Sequence, residues 1–261
     1  FRIVAQHWGF IPGTSTLYGL EDVRGYEALT LARFKMTFPL WSVEQPVWFN
    51  RVDDLTKPFL SFLNVRYAIT TADPPPGWHT VATQWRSRLV ENERVVPRAF
   101  VPATTTVGSA ETINRTLDEM QRATDFRQHA WIDAPMRRHE ELNGPGTVTE
   151  IKPRGPNGFR IRVTMERAGR VVVSEPGWNG WRAYVDGRRV EMQIANVAFL
   201  AIYVPAGAHT IRLIYLPQSF VIGRAISIAT LAVLIALAVL QRVQFLLQRR
   251  NRRVAPLPDG Q

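Results

Sequence analysis

Cysteine is absent from all 261 residues, which excludes disulfides, thiolate metal sites and a cysteine nucleophile. An outward-facing domain without disulfides is commoner in bacteria than in animal secretory proteins, so the Asn114–Arg115–Thr116 sequon is read as coincidental. Lysine is scarce: of 32 basic residues, Lys35, Lys57 and Lys152 are the only lysines, a bias ascribed to coding composition. The five histidines (His7, His79, His129, His139 and His209) are scattered without the i, i+4 spacing of a helical ligand pair, so no transition-metal site is expected. No phosphate-binding glycine loop or dinucleotide fingerprint occurs. Gly13-Thr14-Ser15-Thr16 begins like a nucleophile elbow, but Leu17 stands where the second glycine is needed. No charged and apolar leader opens the chain at Phe1, from which we expect the C-terminal piece of a longer, membrane-inserted protein.

Charge is also missing from Ala225 to Leu240, sixteen residues in a row, and Phe220 to Ile222 extend the apolar run upstream. The 21 helical residues from 220 to 240 reach about 30 Å at about 1.5 Å each, the thickness of a bilayer's hydrocarbon core. Arg224 lies near one end, where its long stem can carry the guanidinium to the headgroups. Ser227 and Thr230 are tolerated because a helical hydroxyl bonds back to a carbonyl one turn earlier. Arg242, Arg249, Arg250, Arg252 and Arg253 follow the run against one acid, Asp259. Positive charge just past a span marks the cytoplasmic side, so residues 1–219 are expected outside and the C-terminus inside a bacterial cytoplasmic membrane. We expect a transmembrane helix over 220–247, continuing toward Pro256, and a basic cytoplasmic tail over 248–261. Arg224, Arg242, Arg249 and Arg250 mark the membrane boundaries. Formal charge is +10, of which the six arginines and one aspartate from Phe220 onward supply +5. A nucleic-acid role is not expected, because a membrane stop signal already accounts for the basic run.

The remainder predicts an α+β unit over 1–135 and an antiparallel β-sandwich over 145–217. Residues 2–6 (RIVAQ) read as a strand, followed by a long loop punctuated by Gly9, Pro12, Gly13, Gly19 and Gly25. Residues 27–38 are read as helical. Pro58–Leu63 reads as a short helix capped by Asp54 or Thr56, and Val65–Thr70 as a strand. Residues 79–101 suggest a strand pair with Glu91-Asn92 near its turn. Ser109 suits the cap of a helix to about Arg122, whose Ile113, Leu117 and Met120 share a face. Phe159, Ile161, Val163 and Met165 alternate with polar residues, as in a half-buried strand. Asp186-Gly187 predicts a two-residue type I′ hairpin, pairing Ala183 with Val190, Trp181 with Met192, Arg182 with Glu191 and Tyr184 with Arg189. Ala198–Val204 and Thr210–Tyr215 suggest a further hairpin around PAGAH. About seven short strands at such spacing argue for a sandwich. Its last strand meets the helix through Leu216 and Pro217, which is expected to hold the sandwich close to the bilayer.

Candidate site residues come in two groups. Glu21, Asp22, Arg24 and Tyr26 cluster in the long N-terminal loop and would suit substrate contact; an Asp22–Arg24 pair pinning the loop is the preferred alternative. Trp178, Trp181 and Tyr184 would suit a sugar-stacking platform, although alternation turns Trp181 inward toward a core role. Asp53-Asp54 would suit a cation beside a phosphate, with helix capping preferred. Residue chemistry alone reaches a membrane-anchored outer module with no catalytic residue.

GLEDVRGYEAL (19–29), FLNVRYAIT (62–70), VVPRAFV (95–101), PGWNGWRAYVDGRRV (176–190) and the run from Ala195 to Pro217 resemble, in order, the C-terminal part of YfhO-like bacterial membrane proteins. These look like multi-pass membrane glycosyltransferases of the GT-C type, so the resemblance implies transfer of a sugar from a polyprenyl-phosphate carrier to an acceptor outside the cytoplasm. PGW-NG-W departs from the family's simpler PGW followed by Lys or Arg and Ala-Tyr. The resemblance implies catalytic acids in a membrane half upstream of Phe1, so no catalytic residue carries over. It implies no cofactor for this segment; a divalent cation, where the chemistry uses one, belongs to that half. The implied partners are the lipid bilayer, the protein's own upstream membrane helices, a polyprenyl-linked sugar and an envelope polymer. The alternative is a cell-envelope module that binds carbohydrate or protein and catalyses nothing.

Overall fold

In a computed structural model of the protein, the described residues are 1–25, 30–45, 50–155 and 157–253. The chain divides into two units, Phe1–Tyr215 and Leu216–Gln261. The first is built on sheets whose strands follow the apolar alternation, because a strand with one buried face holds its register only where that face meets a core.

The N-terminal strand β1 (Arg2–Ala5) is buried throughout and lies parallel to both β2 (Glu21–Asp22) and β3 (Val65–Thr70). Two short helices intervene, α1 (Ala32–Met36) and α2 (Pro58–Phe62); residues 27–29 of the expected helix lie outside the described residues. Strands β4 (Trp78–Gln84) and β5 (Ser87–Asn92) complete a sheet of order β2-β1-β3-β5-β4. Phe59, Leu60 and Phe62 of α2 are buried on it. Neither Asp54 nor Thr56 caps α2: its cap position is Lys57, with no side-chain bond. The Asp54 carboxylate turns back to Thr56, accepting from its amide at 2.8 Å and its hydroxyl at 2.6 Å. Asp53 is held by Arg51 at 2.6 and 2.7 Å and by His7 at 3.1 Å. The turn between β4 and β5 falls at Trp85-Arg86, not at Glu91-Asn92. Asn92 ends β5 because its buried amide donates to Ser61 Oγ and the Val65 carbonyl, while its oxygen takes the Arg94 amide and starts a new turn.

Strands β6 (Ala99–Phe100) and β7 (Thr104–Gly108) lead to α3 (Ile113–Arg122). Ser109 Oγ accepts from the Glu111 amide at 3.2 Å, capping a single 3-10 turn that feeds this helix. Met120 is buried, and Ile113 and Leu117 pack on the same core, so the apolar face faces inward. Strands β8 (His129–Asp133) and β9 (His139–Leu142) follow.

Eight further strands occupy residues 146–215: β10 (Gly146–Pro153), β11 (Gly158–Met165), β12 (Gly169–Pro176), β13 (Trp181–Val185), β14 (Arg188–Val190), β15 (Met192–Ala195), β16 (Phe199–Val204) and β17 (Gly207–Tyr215). They form two layers. One sheet runs β10-β11-β17-β13-β14, and the other β6-β12-β16-β15-β8-β7-β9. Ile161, Val163, Ile211 and Leu213 from the first meet Val171, Val173, Leu200 and Ile202 from the second in one core.

Three expectations change here. The Asp186-Gly187 turn has φ of 48° and 84°, as type I′ requires, and it pairs Ala183 with Val190 and Tyr184 with Arg189. The ladder stops at Val190, however. Met192 pairs with Ile202 in the other layer, and Trp181 pairs with Tyr215. PAGAH is likewise a corner between layers and not a hairpin turn: Val204 and Ile211 are both buried in the shared core, from opposite sheets. Finally, residues 1–135 and 145–217 do not part into two domains. The seven-stranded sheet takes β6, β7 and β8 from the first, β9 from the stretch between them, and β12, β15 and β16 from the second, and one core runs from Val4 to Ala201.

The second unit is the helix α4 (Gln218–Arg253), whose stretch Gln218–Leu246 is long and apolar enough to cross a membrane. None of that apolar window is buried, unlike the core helix of a soluble protein. Ser227 and Thr230 donate to the carbonyls of Gly223 and Ile226 at 2.9 and 3.0 Å, so neither hydroxyl is left without a partner in the apolar stretch. Arg224 and Arg242 are exposed, and Arg249 and Arg250 lie in the last turns of the helix. Residues 254–261 of the expected tail are outside the described residues.

Candidate functional site

The site begins with an irregularity in β12. Its ladder with β16 runs Val171–Ile202, Val172–Ala201 and Val173–Leu200, then shifts so that Pro176 faces Phe199. Such a bulge re-aims the side chains around it. Ser174 is fully buried with its amide on the Arg98 carbonyl at 2.8 Å, and Glu175 joins a charged cluster. Gly177 then packs so closely that a methyl group there would stand 2.6 Å from Ile194 Cδ1. Its amide donates to the Ala198 carbonyl at 2.8 Å. Because the glycine is pressed to the sheet, the next residue, Trp178, emerges 41 % exposed.

Trp181 opens β13 and is less free. Its indole N–H donates to the Pro176 carbonyl at 3.1 Å, and its ring stacks on Phe159 with centroids 6.2 Å apart and lies 5.4 Å from Tyr215. Trp178, Trp181, Phe159 and Tyr215 form the apolar side of a groove of about 590 Å³, with Asn157, Arg98, Glu21 and Glu175 among its polar lining. Trp178, Pro176 and Glu175 also border a second cavity of about 310 Å³ beside Asp22, Arg24 and Phe199. Tyr184, grouped with these tryptophans in the sequence, instead stacks under Arg212, with the guanidinium 4.8 Å from its ring.

Four charges meet at the polar side. Arg2 donates to the carbonyls of Leu63 at 3.1 Å and Ser174 at 2.6 Å, and to Glu175 Oε2 at 2.9 Å. Arg98 reaches the same Oε2 at 2.7 and 3.2 Å, and Glu21 at 3.0 Å, while its guanidinium sits 4.9 Å from the Phe159 ring. Burial lowers the Arg2 guanidinium against the pull of Glu175. Burial pushes Glu21 upward, but hydrogen bonds and charge from Arg98 and Arg2 hold it below the usual carboxylate range. Arg98, also penalised by burial, ends above its ordinary value because Glu175 and Glu21 flank it.

The N-terminal loop residues therefore separate. Glu21 enters the groove cluster, Asp22 and Arg24 form a pair of their own, and Tyr26 lies outside the described residues. Arg24 donates to both Asp22 oxygens at 3.1 and 2.7 Å and to the Phe10 carbonyl at 2.9 Å, with its side chain wholly buried. Its Nη1 has no partner among the described residues. Among those residues, no cluster of three or more His, Asp or Glu is placed to hold a metal ion.

Sequence reasoning found Trp178 and Trp181 but missed Arg2, Arg98, Glu175, Phe159 and Tyr215. The usable signal was Glu175 directly before Pro-Gly-Trp; nothing local announces the arginines.

Residues 146–227 match the family model described as bacterial membrane protein YfhO. Over these residues the chain is similar to the YfhO family of bacterial membrane proteins. The YfhO match starts at β10 and ends inside α4, so it contains Phe159, Glu175, Trp178, Trp181 and Tyr215 but not Arg2, Glu21 or Arg98. No curated protein and no solved structure matches the chain. The apolar helix, part of which lies inside the match, supports association of the chain with the lipid bilayer.

Proposed function

We propose that this chain is the extracytoplasmic domain and last membrane anchor of a glycosyltransferase that moves a sugar from a polyprenyl-phosphate carrier to a cell-envelope acceptor. The observation that carries the reading is the YfhO match running without interruption from the sandwich strands into the apolar helix. The four aromatic residues of the groove add support, since carbohydrate-handling proteins place aromatic faces against sugar rings. In this reading the chain is non-catalytic, and the acids that do the chemistry lie in membrane-half loops upstream of Phe1. Any divalent cation belongs with those loops. Residues 1–219 face outward and the arginine-rich C-terminus inward, following the charge asymmetry around the span. Only Leu216 and Pro217 separate β17 from α4, a tether that suits a domain working on lipid-linked substrates. Water exclusion and acceptor orientation lower a barrier without new chemistry, and we assign such a role to the outer domain.

Reporter fusions after Gln261 test the topology: β-galactosidase is active there and alkaline phosphatase inactive, and the reverse pattern overturns the outward assignment. In the full-length protein, transfer of radiolabelled sugar from a prenyl-phosphate carrier tests the activity. Its absence from membranes that contain correctly folded protein refutes the transferase reading.

A further inference from the structure

We propose that the groove beside Trp178 is a subsite for one uncharged pyranose of a glycan chain, with Trp178 as the stacking platform and Glu175 Oε1 as a hydroxyl acceptor. The inference rests on the sugar-handling function proposed above and goes beyond it in naming a site and a ligand class.

A pyranose presents an apolar C–H face and a rim of hydroxyls. It needs an open aromatic face with unsatisfied polar atoms beside it. Trp181 cannot serve as the platform, because its ring is occupied by Phe159 and Tyr215 and its N–H by Pro176. Trp178 can. It is the exposed ring of the four, raised by the tight Pro176-Gly177 step, and it borders both cavities.

Glu175 supplies the polar atom. The three hydrogen bonds it accepts, one from Arg2 and two from Arg98, all end on Oε2. Among the described residues Oε1 takes none, so one oxygen anchors the carboxylate while the other is available to a ligand hydroxyl. A carboxylate fixed on one oxygen is preorganised to accept on the second, the geometry that makes a charge-assisted hydrogen bond favourable.

Charge selects the ligand class. Arg2 and Arg98 are matched by Glu21 and Glu175, so the cluster carries no net charge, and among the described residues every side-chain hydrogen bond of Arg98 goes to those two carboxylates. An anionic sugar seated there would set its carboxylate against the free Glu175 oxygen and be repelled. A neutral pyranose would donate to it. The groove's volume of about 590 Å³ falls within the size of small-molecule clefts, about 300–1,000 Å³.

The same neutral sugar could arrive on an envelope polymer or on a lipid carrier, and the test separates these sources. Full-length protein in nanodiscs is titrated with maltotriose, cellotriose, chitotriose and mannotriose, and with mannose on a short-chain prenyl phosphate. Trigalacturonate is the anionic control. At least one neutral probe is expected to bind, and Trp178→Ala is expected to weaken it about tenfold or more. Trp178→Phe restores part of the loss, and Trp85→Ala, at an exposed tryptophan that lines neither cavity, changes nothing. A free trisaccharide lost with Trp178 points to the acceptor polymer; the prenyl-linked sugar lost with Trp178 points to the donor. The proposal is overturned if no neutral probe binds, if Trp178→Ala leaves the affinity unchanged, or if trigalacturonate binds tighter than every neutral probe. If sugar transfer proceeds while no probe binds, the subsite alone is wrong. If a probe binds through Trp178 while no transfer occurs, the transferase reading alone fails.

Discussion

Replacing Arg24 with alanine should unfold the N-terminal loop before it affects any chemistry. The Asp22 side chain is 2 % exposed and the Arg24 side chain 0 %. Arg24→Ala removes both hydrogen bonds to that carboxylate and the donor to the Phe10 carbonyl, leaving Asp22 with the backbone amide of residue 24 at 2.9 Å. Removing one partner of a buried ion pair costs about 3–5 kcal/mol, because the other charge stays buried without compensation. Replacing both partners with similar-sized uncharged residues, Asp22→Asn with Arg24→Met, should cost clearly less. Urea unfolding of the detergent-solubilised chain, followed by near-ultraviolet circular dichroism, measures the difference. With a slope of about 2 kcal/mol per molar urea, the midpoint should fall by roughly 2 M for Arg24→Ala. Arg24→Lys should also lose stability, since an ammonium cannot span both carboxylate oxygens as the guanidinium fork does. A midpoint shift below about 0.5 M for Arg24→Ala, or a double variant no better than the single, would refute the buried-charge argument. If sugar transfer in the full-length protein then falls only in step with protein level, Arg24 is structural and not a substrate contact.

Gly187→Val should destabilise the β13–β14 hairpin by about 1–3 kcal/mol through backbone strain alone, since φ there is 84° and no atom lies within 4 Å of an added Cβ; unchanged melting would sink this account. The same turn predicts a pH dependence. His209 is raised above its ordinary value by its hydrogen bond to Asp186 at 2.6 Å, so its contribution is full below about pH 6.5 and fades as pH rises through its folded value. Asp186 is lowered by the Thr210 amide and by His209, so its contribution holds above about pH 3.9 and is lost on acidification through its folded value. An NMR titration midpoint for His209 at or below 6.5 would contradict the pairing.

Local features were legible because they depend on neighbours in the chain. The charge-free run to Leu240, the Ser109 cap, the Asp186-Gly187 turn and the alternation through β11 each depend on spacing that the backbone itself imposes. Alternation says which side chains share a face, but not which sheet that face belongs to. Val190 and Met192 therefore read as one strand while sitting in different layers, and the corner at PAGAH read as a hairpin. The domain boundary failed for the same reason: β6, β7 and β8 bury their apolar faces in cores shared with strands that follow them by up to about a hundred residues, and no local pattern records that choice. At the candidate site, Pro-Gly-Trp was visible as a motif. Its polar half was not, because Arg2, Glu21, Arg98 and Glu175 are up to 173 positions apart and meet only once both cores have formed. Sequence decided which residues could stack and where the chain enters the membrane; tertiary packing decided that one Glu175 oxygen is pinned, the other open, and an exposed tryptophan beside it.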